Sequence, residues 1–384
     1  MQPERWSERW SERHRQISVV ATWLLLAGLL PLVPLAPVRA QEALGVRVPL
    51  SAALDSLIRA EMAKQAIPGL SLAVVREGKV LYSAGYGNAD REKFVPVTAE
   101  TQFRLGSISK TFTAAAVLQL VEQGKLDLDA PVQKYVPTYP EKPWKITTRQ
   151  LLGHLAGIRH YKGSEIFSNV HYTDVLAPLA IFQNDPLAHE PETKYLYSTY
   201  GYNLLGAVVQ GASGQPFTEY VQKNVFDRVG MPGAAVDDVT RDLPLRATGY
   251  VVSNDKSKAV IAPVFDATNK IPGGGYLASA LDMARYASAM MYGKVVRPET
   301  CRLMWTSQKT RDGKATGYGM GWSVGTWEGK QTAAHGGGQP GVSTILWMVP
   351  EEKFAVVLLT NRTGSSLSGI AKQIAGMVLM LSLK

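Results

Sequence analysis

The sequence has a single cysteine, Cys301, among its 384 residues. One thiol cannot form an internal disulfide, and it cannot supply the paired thiolates of a structural zinc site. Beyond residue 40, and apart from His335, the histidines are His154, His160, His171 and His189. Their spacing is not that of metal ligands, so we expect structural or surface roles for them. The pattern therefore predicts a protein without a metal centre.

Two common enzyme signatures are either absent or outside their usual structural context. Residues 317–321 (GYGMG) do not form G-x-G-x-x-G and open no helix, which argues against a dinucleotide site. G-x-S-x-G occurs once, at residues 321–325 (GWSVG), but it falls within the predicted strand 322–327 and not at a strand-to-helix turn, which argues against an α/β-hydrolase. The net charge of +9 is not concentrated in a dense Lys/Arg block, so nucleic acid is not an expected partner. We expect no cofactor.

The first 40 residues differ from the rest of the chain in charge and hydropathy. Arginines and glutamates crowd the first 16 residues, and the charge-free apolar run 17–38 follows. The run ends in Val38-Arg39-Ala40. A basic start, an apolar middle and small residues before a cut are typical of a secretory signal peptide, here with cleavage after Ala40. The mature chain is then exported, to the periplasm or the extracellular space.

The same apolar run is about long enough to span a bilayer, so an uncleaved membrane anchor is the alternative. Three prolines within it, Pro31, Pro34 and Pro37, favour cleavage. The protein is expected to contact a membrane only if this segment is retained.

Residues 41–384 are predicted to form one α+β domain, because no linker or internal repeat divides them. Strand-like runs occur at both ends of this region, and helical segments lie between them. We expect one antiparallel sheet closed by the two ends of the chain, with a mainly helical lobe at roughly 125–265. The predicted strands are 70–75, 80–84, 322–327, 332–335, 342–349 and 354–360; the predicted flanking helices are 50–65 and 367–381.

A serine and a lysine three residues apart, Ser107 and Lys110, stand at the head of an apolar stretch. Residues at this spacing lie on the same face of a helix, so the amine can reach the hydroxyl. Residues 111–123 (TFTAAAVLQLVEQ) are apolar almost all round, which predicts a helix packed inside the protein. Lys110 is therefore expected to be buried, and burial of its charged amine costs free energy. Burial also lowers the pKa of the amine, so that it can act as a base.

The pattern S-x-x-K alone is weak evidence, since Ser253 and Lys256 form a second copy in a polar stretch. Two further segments support the first copy. One is residues 195–206 (YLYSTYGYNLLG), and the other is His335-Gly336-Gly337-Gly338.

In order and spacing, the three segments resemble the active-site motifs of the serine β-lactamase and penicillin-binding protein superfamily, and the resemblance is class C-like. It extends over nearly all of residues 41–384 and includes residues 103–106 (FRLG), 154–158 (HLAGI) and 272–279 (PGGGYLAS). Within the superfamily, a Tyr-Ser-Thr second motif and a third motif beginning with histidine are most similar to the serine β-lactamase-like branch known from mitochondria.

The resemblance implies roles for the first two motifs. Ser107 would be the nucleophile that forms an acyl-enzyme, with Lys110 as its partner and Tyr197 sharing proton transfer. Lys110 and His335 would act on Tyr197 in one of two ways. Their positive charge would favour the phenolate, or the groups would carry the phenol proton. Thr199 stands where the family usually has an asparagine, which puts the contact with lysine and substrate at that position in question.

The resemblance also implies an oxyanion hole formed by the backbone N–H groups of Ser107 and Gly338, with Gly336 and Gly337 bordering the substrate. His335 stands where many β-lactamases have lysine. A histidine is fully charged only below its pKa, near 6.5 when unperturbed, so we expect poor binding of the β-lactam carboxylate near neutral pH.

Structural interpretations of the same residues remain open. Ser107 is also suited to cap a helix, with Lys110 extending its amine to the surface. Tyr197 is also suited to an aromatic core, and the glycines at 336–338 to a tight turn.

The sequence as a whole predicts an exported serine hydrolase that acts through an acyl-enzyme on a small-molecule or peptide substrate. A peptidase or D-amino-acid peptidase comes first, an esterase second and a β-lactamase third. The alternative from another class is a non-catalytic binding or assembly protein on the same fold. The sequence gives no prediction of the oligomeric state.

Overall fold

The computed structural model of the protein describes residues 47–253 and 259–380. The predicted signal segment and Lys256 of the second S-x-x-K copy lie outside the described residues. Within the described ranges, no helix is both long and apolar enough to cross a membrane.

Twelve strands and nine helices are assigned in the described residues. The strands are β1 (Gly69–Arg76), β2 (Lys79–Asp90), β3 (Val95–Pro96), β4 (Phe103–Arg104), β5 (Ala235–Val236), β6 (Tyr250–Val252), β7 (Ala259–Ile261), β8 (Tyr276–Ala278), β9 (Ser323–Trp327), β10 (Lys330–Gln339), β11 (Val342–Val349) and β12 (Phe354–Thr360). The helices are α1 (Arg47–Gln65), α2 (Ser109–Glu122), α3 (Thr148–Leu152), α4 (Thr199–Ser213), α5 (Phe217–Val221), α6 (Ile271–Gly274), α7 (Ala280–Met291), α8 (Pro298–Met304) and α9 (Ser368–Met380).

Seven strands form one antiparallel sheet in the order β3-β2-β1-β12-β11-β10-β9. The first long strand therefore pairs with the last, with Leu70 opposite Thr360. This closure by the two ends of the chain, with helices between them, confirms the predicted α+β architecture. Strands β11 and β12 have the predicted bounds, whereas β2 and β10 extend beyond the predicted runs.

The central strands are buried on both faces, which explains why they are apolar almost throughout. Because successive side chains alternate between faces, each strand contributes to two cores. Leu72 and Val74 belong to the core shared with α1 and α9, while Ala73 and Val75 belong to the larger core under the helical lobe.

Helix α2 lies in the larger core, and residues 109–120 are all buried. This confirms the predicted internal helix after Ser107. Helix α7 begins with a capping box, in which the Ser279 hydroxyl accepts the backbone N–H of Asp282 at 3.1 Å. The cap ends the segment that contains Gly273 and fixes where α7 begins.

Candidate active site

Ser107 lies in a short 3₁₀ turn, Gly106–Ile108, that leads directly into α2. Gly106 adopts φ +54°, a left-handed conformation that favours glycine. A Cβ there would lie 3.0 Å from the backbone N of Gly338. The turn that carries Ser107 is therefore packed against the backbone of the third motif on β10.

Lys110 has no solvent exposure. Its Nζ lies 3.1 Å from Ser107 Oγ, 3.2 Å from Thr199 Oγ1 and 2.6 Å from the carbonyl oxygen of Gly273. All three partners are uncharged. The amine thus joins the first motif, the start of α4 and the turn of α6.

Burial holds the pKa of Lys110 well below its ordinary value, and the positive charge of Lys270 lowers it further. A neutral amine has two N–H donors and one lone pair. The two donors match the oxygens of Gly273 and Thr199, which leaves the lone pair for the Ser107 hydroxyl. This arrangement gives Lys110 the state that a general base requires.

Tyr197 covers the amine from the other side, and Lys110 Nζ is 4.9 Å from the centre of its ring. Burial raises the pKa of Tyr197 above its ordinary value, although a hydrogen bond with Ser107 acts in the opposite direction. The expectation that neighbouring positive charge favours the phenolate is therefore wrong in direction. The phenol keeps its proton near neutral pH, and a role of Tyr197 in proton transfer stays a prediction.

The second motif is held in place by a helix cap and two histidines. Ser198 Oγ accepts the backbone N–H of Gly201 at 3.0 Å and begins α4. His154 Nδ1 accepts the N–H of Ser198, and His160 Nδ1 accepts the N–H of Thr199, each at 3.2 Å. These histidines have structural roles, as expected, but they support the site itself.

His335 is only 4 % exposed, and both of its ring nitrogens are engaged. Nδ1 donates to the carbonyl oxygen of Gly336 at 2.7 Å, so Nε2 accepts the Tyr318 hydroxyl at 2.9 Å. Burial and the nearby Lys110 lower the pKa of His335 to about 3. The expected charge below pH 6.5 is therefore not supported, because desolvation keeps the imidazole neutral down to much lower pH.

The third motif lies on β10, beyond the end of its pairing with β9 at Ala334. A Cβ on Gly337 would lie 1.9 Å from the carbonyl oxygen of Leu105 and 2.2 Å from Thr344 Oγ1, so only glycine fits. A Cβ on Gly338 would meet nothing within 4 Å. The glycines therefore allow the Ser107 turn to approach the strand closely, as a shared oxyanion hole needs.

The structure brings all the predicted site residues to one place and adds others. Lys270, Tyr318 and the carbonyl of Gly273 were not identified from spacing. Gly273 belongs to the PGGG segment that carried part of the family resemblance, so a sequence signal for it existed. Lys270 and Tyr318 lie far along the chain from Ser107, and no periodicity relates them to it.

Comparisons with known proteins agree with this geometry. The beta-lactamase family matches residues 54–376. The serine beta-lactamase-like protein LACTB, mitochondrial, of Homo sapiens is 32% identical over 382 aligned positions, covering 74% of this chain and 69% of the relative. Protein flp of Staphylococcus aureus (strain COL) is 27% identical, covering 80% of this chain and 62% of the relative.

A similar solved structure is that of the octameric penicillin-binding protein homologue from Pyrococcus abyssi. It has a TM-score of 0.75 and 28% identity, with 86% of this chain and 77% of that chain covered. The family match spans most of the sequence and includes all three motifs. The chain therefore belongs to the beta-lactamase family, on the fold shared by β-lactamases and penicillin-binding proteins.

Proposed function

We propose that the protein is a serine hydrolase that cleaves peptide or ester bonds through an acyl-enzyme on Ser107. One observation carries the proposal. The buried amine of Lys110 has uncharged partners for both of its N–H groups and lies 3.1 Å from Ser107 Oγ. A buried lysine held in this way is suited to remove a proton, since no carboxylate among its hydrogen-bond partners stabilises the ammonium form.

In the first half of the reaction, the Ser107 hydroxyl gives its proton to Lys110 Nζ while Oγ bonds to the substrate carbonyl carbon. The carbonyl oxygen becomes an oxyanion facing the backbone N–H groups of Ser107 and Gly338. When the carbonyl re-forms, the bond to the leaving amine or alcohol breaks. Ser107 is then esterified by the acyl group.

The protonated phenol of Tyr197 is placed to give its proton to the leaving group, and Lys110 returns a proton to it. In the second half, water loses a proton to the same relay and attacks the acyl-enzyme. The bond to Ser107 Oγ breaks, the acid leaves, and Oγ regains its proton. No group other than these side chains is needed to balance the protons.

The neutral state of His335 bears on the choice of substrate. β-Lactams present a carboxylate beside the reactive amide, and a neutral imidazole gives it no permanent charge. We therefore rank peptides, including those with D-amino acids, first, carboxylic esters second and β-lactams third.

Covalent labelling tests the proposal. A fluorophosphonate probe should label the wild-type protein and the control Ser109→Ala, because the Ser109 hydroxyl is buried, where it accepts the backbone N–H of Tyr276 at 3.3 Å. Ser107→Ala should lose both labelling and turnover on panels of peptides, esters and β-lactams. Wild-type hydrolysis by Ser107→Ala would refute the nucleophile assignment. If the wild-type protein shows no labelling and no turnover, a non-catalytic binding protein would be favoured.

We also propose that the protein acts outside the cytoplasm, on the strength of the sequence pattern of residues 1–40. Intact-mass measurement on protein from a secreting host should find a chain that begins near Gln41. Retention of residues 1–40 in the membrane fraction would favour the anchor.

A further inference from the structure

A cavity of about 810 Å³ lies along the part of β10 that carries the third motif. We call it the edge cavity. Its walls come from five places: residues 336–340 at the end of β10, residues 342–345 of β11, Ile166 and Phe167 from the helical lobe, Val251 with Pro263 beside the β6–β7 hairpin, and residues 363–368 before and at the start of α9. Cavities of this size commonly hold small ligands.

The edge cavity exists because β9 is shorter than β10. Ser323 pairs with Ala334, and in the described residues no strand pairs with residues 335–339 on that side. Glycines then keep the space open, since a Cβ at Gly338 would meet nothing within 4 Å and one at Gly336 only a carbonyl at 3.7 Å. Gly337, which alternates with them, is the tightly packed position against Leu105.

The lining of the edge cavity is uncharged. Its described side chains are apolar or carry hydroxyl groups, apart from the amide of Gln339. Phe167 is 45% exposed and adds a large aromatic side chain to this surface. Two charged residues adjoin the lining along the chain, Glu165 and Arg362, and neither is part of it. Glu165 is paired with Arg159, and Arg362 donates from Nη1 to the carbonyl oxygen of Thr363.

The edge cavity adjoins the proposed reacting centre. It shares Gly338 with the proposed oxyanion hole, and a Cβ on Gly106, in the turn that carries Ser107, would lie 3.0 Å from Gly338 N. A substrate carbonyl held against Gly338 therefore has one of its two substituents directed along this wall.

We propose that the edge cavity binds an uncharged apolar chain of the substrate, so that the enzyme prefers esters with medium-length alkyl chains over short or charged ones. The inference rests on the proposed hydrolase function. An apolar chain gains free energy by leaving water for such a surface, whereas a carboxylate would lose hydration without finding a cation.

Two substrate series test this. One lengthens the acyl chain of p-nitrophenyl esters from acetyl to octanoyl, and the other lengthens the alcohol of alkyl acetates. In one series kcat/KM should rise roughly two- to fourfold per methylene until the edge cavity is filled. The series that responds identifies the substituent that occupies it. Flat kcat/KM in both, with measurable acetyl hydrolysis, would overturn the inference while the hydrolase function stands; no hydrolysis of any ester or peptide would refute the function itself.

A variant that adds a charge to the lining tests whether the chain-length preference arises in the edge cavity. Ser366 is an exposed residue of the lining, and in the series that responds Ser366→Lys should lower the ratio of kcat/KM for the longest to the shortest chain about tenfold. It should also favour an ester with a terminal carboxylate on that chain over its neutral counterpart. Gln373→Lys, on an exposed position of α9 outside the lining, is the matched control and should change neither ratio.

Phe167→Ser, at a half-exposed position, should also reduce the preference for the longer chain in the series that responds. This second lining variant keeps the test valid if the lysine variant does not fold. Ratios that stay at the wild-type value in both lining variants would show that the chain binds elsewhere.

Discussion

Two lysines are buried beside the same turn of α6, yet their surroundings differ. Lys110 has no solvent exposure and Lys270 has 1%. Lys110 contacts only uncharged oxygens, one of which belongs to Gly273 in that turn. Lys270 directly precedes the turn, and its Nζ donates to the carbonyl of Ile166 at 3.2 Å and to Asn269 Oδ1 at 3.3 Å.

The difference lies in the charges around each amine. Burial and Arg104 lower the pKa of Lys270 to about 8, and Asp237 and Asp266 oppose the change. Lys110 has no such compensation, and Lys270 itself is the nearby positive charge that depresses its pKa further. At neutral pH Lys270 is therefore largely cationic and Lys110 can be neutral. A buried lysine becomes a base when carboxylates are kept away from it.

The largest effect should come from Lys110→Met compared with Lys270→Met. Removal of the base should lower kcat/KM by about 10²–10⁴-fold. The thermal midpoint should not fall, because a costly buried amine is replaced by an apolar chain of similar length. Near-wild-type kcat/KM in Lys110→Met, or an equal loss in Lys270→Met, would contradict the assigned difference between the two lysines.

Tyr197→Phe should lower kcat/KM within a similar range, because it breaks the same proton relay at the phenol. The double variant with Lys110→Met should lose far less than the product of the two single losses. Independent, multiplicative losses in steady-state kinetics would show that the two side chains do not act as a unit.

Lys270→Met should change the pH dependence more than the maximal rate. Activity needs neutral Lys110, so it rises with pH through the pKa of that amine. Loss of the neighbouring cation raises this pKa, and the acidic limb of the pH–rate profile should move to higher pH. A limb that stays in place would remove Lys270 from the electrostatics of the site.

The stability of Lys270→Met provides a second measurement. The pKa of Lys270 is lower in the folded protein than in the unfolded chain, so wild-type stability should rise as the pH increases above about 8. This rise should be smaller in the variant, as measured by denaturant unfolding at several pH values.

The smallest change should be in the pH profile of His335→Asn. With a pKa of about 3, the imidazole does not titrate between pH 5 and 8. The variant should keep the position of the acidic limb in this range even if its rate falls. Movement of the limb would show that His335 contributes a charge near neutral pH. His335→Lys should instead improve the relative kcat/KM for carboxylate-bearing substrates.

The sequence predicted the parts of the site that depend on local spacing. Ser107 and Lys110 meet because three residues of helix bring them onto one face, and β11 and β12 follow from runs of apolar residues between turns. The charge states were not predictable in this way. His335 is neutral because Tyr318 and the body of the protein exclude water from it, and those neighbours are distant in sequence.

Lys270 illustrates the same limit. Its position before the PGGG segment is plain in the sequence, but the carboxylates that balance it come from Asp237 and Asp266, on other parts of the chain. Thr199 is a milder case. The residue at that position was in question, and the structure shows that its hydroxyl still reaches the lysine at 3.2 Å.

The pairing of β1 with β12 has a consequence for biosynthesis. Chains are made from the N-terminus at about 5–20 residues per second, so β1 cannot pair with β12 until nearly the whole described chain has been made. Ser107 likewise meets the glycines of β10 only late in translation. An incomplete chain can pair β1 with β2, but the other edge of β1, which pairs with β12, stays exposed as an unpaired apolar strand edge until the sheet closes.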